Sequence, residues 1–289
     1  MKIFDLYKKS FLSAITNPTI SMFLVLFLIL SNLMANQMIA TKTAVVSMIL
    51  SFCIFTLTLA FISGWLYVAK EISIEGEKEN KNYFAIFLEG IGNNIVSVGI
   101  ASFIYTLLFT IILFIAGKIA YLAFGSLDFI LKDITSLTQD TNQFIEYLEK
   151  LTIDQQYTLY CWQMCFIAFL SIFNFILLFY FPAVIFSEKN IFIKPFRAFI
   201  DSIKFTFKNF FGSLLIYLTI FFAYFALSVL RFLFAQNALI LILLLFLYIY
   251  FICGAVMLIF SYYGQKNNCN NGCDSIGENE IIDKTSEEN

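Results

Sequence analysis

Residues 10–41 read SFLSAITNPTISMFLVLFLILSNLMANQMIAT, 32 positions between Lys9 and Lys42 without an Asp, Glu, Lys, Arg or His. A helix needs about 20 residues to cross the roughly 30 Å of hydrocarbon in a bilayer, so this run is long enough for a span. The pattern recurs at 43–69, 90–117, 155–187, 209–230 and 232–265. In lipid a backbone polar group finds a partner only within its own helix or in a closed barrel. None of the six runs alternates as a barrel strand does, so each predicts a helix. The expected fold class is therefore all-α, a polytopic membrane protein with about six transmembrane helices. Their expected positions are about 20–40, 45–69, 95–117, 159–186, 211–232 and 238–262.

Composition agrees. Hydrophobic residues make up 60% of the 289, charged residues 13%, and the mean hydropathy is +0.84, outside the range of soluble domains. The run that follows Lys2, Lys8 and Lys9 could be taken for a signal peptide. Its preceding segment is long and amphipathic and no small-x-small site is convincing near Met38-Ile39-Ala40, so it reads as an uncleaved span. Of six cysteines, Cys53, Cys161, Cys165 and Cys253 sit in apolar runs as small hydrophobes, and Cys269 and Cys273 lie in an Asn-rich tail.

Orientation follows from the basic residues of the connections. The N-terminal arm, the second and fourth connections and the tail carry 13 Lys and Arg, against 5 on the other side. Both termini are then cytoplasmic, in a multi-pass protein of the cell (plasma) membrane. Residues 1–263 form one six-span domain, with 118–158 as an outer helical insertion and 264–289 as a disordered cytoplasmic tail. In the insertion Ser126 or Asp128 can cap one helix and Asp140-Thr141-Asn142 another, around Phe144–Leu151. Its simplest role is a cap packed at the membrane surface, with ligand binding as the alternative.

The chain also repeats. Tyr7-Lys-Lys-Ser-Phe11-Leu-Ser-Ala-Ile15-Thr-Asn17 aligns without gaps with Tyr83-Phe-Ala-Ile-Phe87-Leu-Glu-Gly-Ile91-Gly-Asn93, followed by Ser21 and Ser97. A third copy runs from Phe199 to Asn209, followed by Ser213. Each precedes an odd-numbered span, so the spans read as three hairpins, each introduced by a cytoplasmic amphipathic helix ending at Asn17, Asn93 or Asn209. In the third copy Lys194, Arg197, Asp201, Lys204 and Lys208 are spaced 3, 4, 3 and 4 on one stripe. Phe196, Phe199, Ile200, Ile203 and Phe207 take the opposite face. Such a helix is expected in the membrane interface, with 194–208 facing anionic lipid head groups.

Little else carries chemistry. The chain has no His, which removes a His base, the common zinc sites and imidazole relays. Cys269 and Cys273 give two thiolates, too few for a structural zinc site. Asn174, near the middle of the fourth span, is expected in an interhelical hydrogen bond, with substrate contact as the lesser alternative. Pro182 is expected to kink the end of that span, and Ala60-x-x-x-Gly64 to permit close helix contact. No catalytic residue, metal site, cofactor or nucleic-acid partner is expected.

The stretch Phe181-Pro182-Ala183-Val184-Ile185-Phe186-Ser187-Glu188-Lys189-Asn190, leading into Pro195-Phe196-Arg197-Ala198-Phe199, Ser202 and Lys208-Asn209, carries a resemblance. It resembles a broad group of bacterial six-span proteins, including the family named for the membrane domain of glycerophosphoryl diester phosphodiesterase. That resemblance implies a six-span bundle. The phosphodiesterase activity belongs to a separate soluble domain with His and acidic ligands, and is not carried over. Two functions compete: a non-enzymatic membrane protein that organises lipid or a partner, and the permease subunit of an ABC-type exporter with a separate ATPase. The threefold repeat favours the first.

Overall fold

The computed structural model describes residues 3–40, 43–75, 81–128, 150–188, 190–235 and 237–285, with Ile3, Glu75 and 268–285 as backbone only. Among the described residues the chain is helical and holds no strand. In order the helices are α1 (Ile3–Thr16), α2 (Pro18–Ala40), α3 (Ala44–Glu75), α4 (Tyr83–Phe124), α5 (Ile153–Ile176), α6 (Tyr180–Phe186), α7 (Lys194–Lys208), α8 (Phe210–Leu233) and α9 (Ala238–Thr285). Six segments, 18–40, 44–74, 83–124, 153–186, 210–233 and 238–267, are long and apolar enough to cross a bilayer. Their surfaces fit lipid rather than water: Met48, Phe211, Phe232 and Leu239 are among many large apolar side chains left exposed. The architecture is that of a multi-pass helical membrane protein.

One expectation changes in detail. The second amphipathic segment is not a separate helix, because α4 runs unbroken from Tyr83 through Asn93 to Phe124. Pro18 opens the span after the first copy, and backbone at φ −114°, ψ 36° on Asn209 interrupts the third. The second copy has neither device, and 42 residues of continuous helix rise about 63 Å. The backbone of α9 extends into the polar segment from 264 as far as Thr285. Extending a helix already nucleated in a span costs less than starting one. Residues 129–149, with the expected cap at Asp140-Thr141-Asn142, lie outside the described residues. Ser126 donates its hydroxyl to the Asp128 carboxylate at 2.8 Å.

The chain divides into two compact units, 1–102 with 177–289, and 103–176. In the smaller unit the Tyr105 hydroxyl donates to Asn174 Oδ1 at 2.7 Å, the interhelical bond expected of that amide. Phe173 packs its ring against both Tyr105 and Phe109. Ala116 and Ala120 are buried on α4, and the Trp162 indole donates to the Gly125 carbonyl at 3.1 Å. Gly125 closes α4 at φ +85°, a left-handed position that glycine takes without strain from a Cβ.

In the larger unit burial is graded along the spans. α3 is exposed at Val45, Met48 and Phe52, then buried at Phe61, Trp65, Val68 and Ile72. α9 repeats this, from exposed Leu239 and Leu243 to buried Cys253, Met257 and Phe260. Packing is therefore tightest where α1, α6 and α7 gather. Lipid tails are as apolar as Leu, so helix contact in a membrane relies on close fit and polar bonds rather than on hydrophobic burial. Both devices are present. A Cβ on Gly64 would stand 2.7 Å from the Phe87 carbonyl oxygen, so the small residue of Ala60-x-x-x-Gly64 lets α3 and α4 touch. The Trp65 indole donates to the Ile20 carbonyl at 3.1 Å, joining α3 to α2. Stacked rings at Phe23–Phe87 (4.5 Å) and Phe27–Phe61 (4.2 Å) each add about 0.5–1.5 kcal/mol beyond area.

Candidate functional site

The helical path of the fourth span breaks over 177–179 and resumes as α6. Pro182, buried in the first turn of α6, has no N–H to bond the Leu178 carbonyl and its ring would crowd that oxygen. The break lets α6 end at Phe186, and an extended Ser187 (ψ 129°) turns the chain toward α7. Two bonds from α4 hold this turn: Ser97 donates to the Ile191 carbonyl at 3.0 Å, and the Lys194 ammonium donates to Asn94 Oδ1 at 3.4 Å.

α7 is the most amphipathic of the long helices, and it has three faces rather than two. Pro195, Ala198, Ser202, Phe205 and Thr206 are buried against the protein. Phe196, Ile200 and Phe207 are exposed, about a third of a turn away at 100° per residue. Arg197, Asp201, Lys204 and Lys208 occupy the remaining third. The sequence pattern separated apolar from charged and missed the protein-facing stripe, whose small Ala198 and Ser202 permit close approach. Behind that stripe Phe205 meets Phe179 at 4.8 Å and Tyr263 at 4.7 Å, joining α7 to α6 and α9.

The charged face of α7 forms one wall of a groove of about 720 Å³. α3 contributes Lys70 and Ile74, the end of α6 contributes Phe186 and Glu188, and α9 contributes Tyr263 and Asn267. Lys70 extends over aromatic rings, its ammonium 5.3 Å from the Tyr67 centroid and 5.7 Å from that of Phe186. Arg197 and Asp201 pair at 3.8 Å across one helical turn, both well exposed, so the pair adds little stability. Burial pushes the Lys194 ammonium below the ordinary lysine value; the nearby Lys70 charge adds to this and Glu188 opposes it. The groove is thus a basic depression with aromatic walls, suited to holding an anion and an attached apolar group.

The anticipated residues fall into distinct places. Arg197, Lys204 and Lys208 line the groove, while Lys194 is turned toward Asn94. Pro182 shapes the backbone behind it, and Asn174 belongs to the smaller unit. Asn17 and Asn209 stand at the entrances of α2 and α8, and each donates its amide to the carbonyl four residues back. Asn93 does not join them: it is exposed in mid-helix, whereas its neighbour Asn94 is buried and donates to the Gly90 carbonyl at 3.3 Å. The matching register of the second copy is shifted by one residue, because the buried face of an unbroken helix is set by what it packs on. Lys70 and Phe186 were not singled out from the sequence; the only signal for Lys70 was a lysine closing an apolar run.

Apolar space also lies between α1, α8 and α9, where Phe11, Ile15, Ala223, Ala226, Leu247 and Phe251 surround about 600 Å³. Nearby the Tyr7 hydroxyl donates to Thr219 at 3.1 Å, and burial raises the Tyr7 phenol above its ordinary value while that bond opposes the rise. No protein-family model, curated protein or solved structure matches the chain.

Proposed function

We propose that the protein is a non-enzymatic membrane organiser, which gathers lipid or a partner at the membrane face where α1, α6 and α7 assemble. One observation carries this reading: α7 divides into a stripe buried against the protein, an exposed apolar stripe at Phe196, Ile200 and Phe207, and a charged stripe at Arg197, Asp201, Lys204 and Lys208. A helix so divided sits at a membrane surface with its basic stripe among head groups. The bias of 13 basic residues against 5 supports assigning this face, and both termini, to the cytoplasm of a plasma membrane.

Single cysteines at Phe196, Ile200, Lys204 and Lys208, in a cysteine-free chain held in nanodiscs, test the reading. The first two are expected to resist a water-soluble maleimide and the last two to react. Equal reactivity of all four would overturn the surface placement of α7. Labelling at residues 140 and 280 is expected from opposite sides of sealed vesicles. A stoichiometric ATPase in mild-detergent preparations from native membranes would replace the organiser reading with that of an exporter permease.

A further inference from the structure

We propose that the groove between α3, α6, α7 and α9 binds the phosphate of an anionic membrane lipid, with Lys70, Lys204 and Lys208 as its cationic lining. The inference rests on α7 lying at the membrane surface and adds a ligand to it.

Three observations converge on that ligand. The first is charge. Among the described side chains that line the groove, Lys70, Arg197, Lys204 and Lys208 outnumber Glu188 and Asp201, and Arg197 engages Asp201. A basic lining of this kind suits a phosphate monoester, which carries about −1.5 to −2 near neutral pH. The second is chemistry. Lys ammonium groups on flexible stems serve a phosphate as movable point charges, and their stems lie along apolar walls while the heads reach the anion. Lys70 already does this over Tyr67 and Phe186. The third is position. The groove shares α7 with the exposed Phe196, Ile200 and Phe207, so an anion held there stands beside a surface that acyl chains can cover. Ile74, half exposed, and Phe186 extend that apolar surface into the groove itself. A soluble phosphate would use the charges and leave those walls without a role.

The test uses the full chain in detergent with fluorescent phosphatidic acid as the probe. Unlabelled phosphatidic acid, phosphatidylcholine and glycerol 3-phosphate serve as competitors. Phosphatidic acid is expected to compete at least tenfold better than phosphatidylcholine. That preference is expected to vanish in the triple variant Lys70→Gln, Lys204→Gln, Lys208→Gln. It is expected to persist when the same three are changed to Arg, and in the control Lys8→Gln, Lys9→Gln. Should the triple Gln variant fail to fold, Lys204→Gln alone is expected to weaken binding several-fold, with further weakening in wild type as salt rises from 0.1 to 0.5 M. Equal competition by the two lipids, or a Gln variant that keeps the preference, would overturn the site. Competition by glycerol 3-phosphate as strong as that of the lipid would overturn its assignment to a membrane ligand. If the labels on α7 behave as expected but no lipid preference appears, the site fails while the surface placement of α7 stands.

Discussion

Asn17 and Asn209, 192 residues apart, make the same bond: each side-chain amide donates to the carbonyl four residues back, on Ser13 and Phe205, at 3.1 Å. Each lies where an amphipathic helix gives way to a span. At the same offset Leu6 matches Ala198, Ser10 matches Ser202, Ala14 matches Thr206 and Leu24 matches Ile216, and all eight are buried. Ser10 and Ser202 even share a buried hydroxyl without a hydrogen-bond partner among the described residues. Asn94 reproduces the bond from within α4.

Replacing Asn17, Asn94 or Asn209 with Ala is expected to cost about 1 kcal/mol each, the net worth of one hydrogen bond. Asn93→Ala is expected to stay within about 0.5 kcal/mol, as exposed positions do. Thermal unfolding in detergent reads the difference. A larger loss at Asn93 than at Asn94 would restore the register of the sequence alignment.

Two glycines near the same end should respond in opposite directions. A Cβ on Gly64 would meet the Phe87 backbone at 2.7 Å, so Gly64→Ala is expected to destabilise by about 1–3 kcal/mol. Gly92 has open space around it within α4, so Gly92→Ala is expected to stabilise by about 0.5–1 kcal/mol through the unfolded chain. The same melting experiment decides both.

How far the sequence foretold this arrangement depends on which force decides each feature. Spans are decided by the absence of charge, which is written directly in the chain, and all six were legible. Pro182 and Asn174 were legible too, since a missing N–H and an amide in lipid each allow few outcomes. The continuity of α4 was not, because nothing local marks it beyond the lack of a proline after Asn93. The groove was half legible. Its α7 wall follows from a spacing of 3 and 4, whereas Lys70 joins it through packing of α3 on segments more than a hundred residues further along the chain.

The lowered Lys194 value has a signed consequence. Its charged form is disfavoured in the fold, so between the lowered value and the ordinary 10.5 the unfolded chain binds more protons. Stability from this group should therefore rise with pH through that alkaline window. The melting temperature of wild type relative to Lys194→Met is expected to climb as pH approaches 10.5, and a flat or falling difference would contradict the burial of this ammonium.

Tyr105 and Asn174 offer an independent check within the smaller unit. A double-mutant cycle with Tyr105→Phe and Asn174→Leu is expected to give a coupling of about 0.6 kcal/mol and at most about 1.7, the range for polar bonds between helices in lipid. Additive effects would mean that the 2.7 Å contact contributes no energy of its own.

The three faces of α7 also constrain how this segment can vary. Along a mere 15 residues, acceptable substitutions should fall into three interleaved sets. Positions 198 and 202 admit only small side chains, 196, 200 and 207 exchange freely among large apolar ones, and 197, 204 and 208 tolerate anything that keeps a positive charge. A saturation library selected for folded protein that also keeps the preference for phosphatidic acid would recover the helix as three out-of-phase tracks of tolerance. A charge change on the first track, such as Ala198→Lys, would do more harm than the loss of any single lysine on the third.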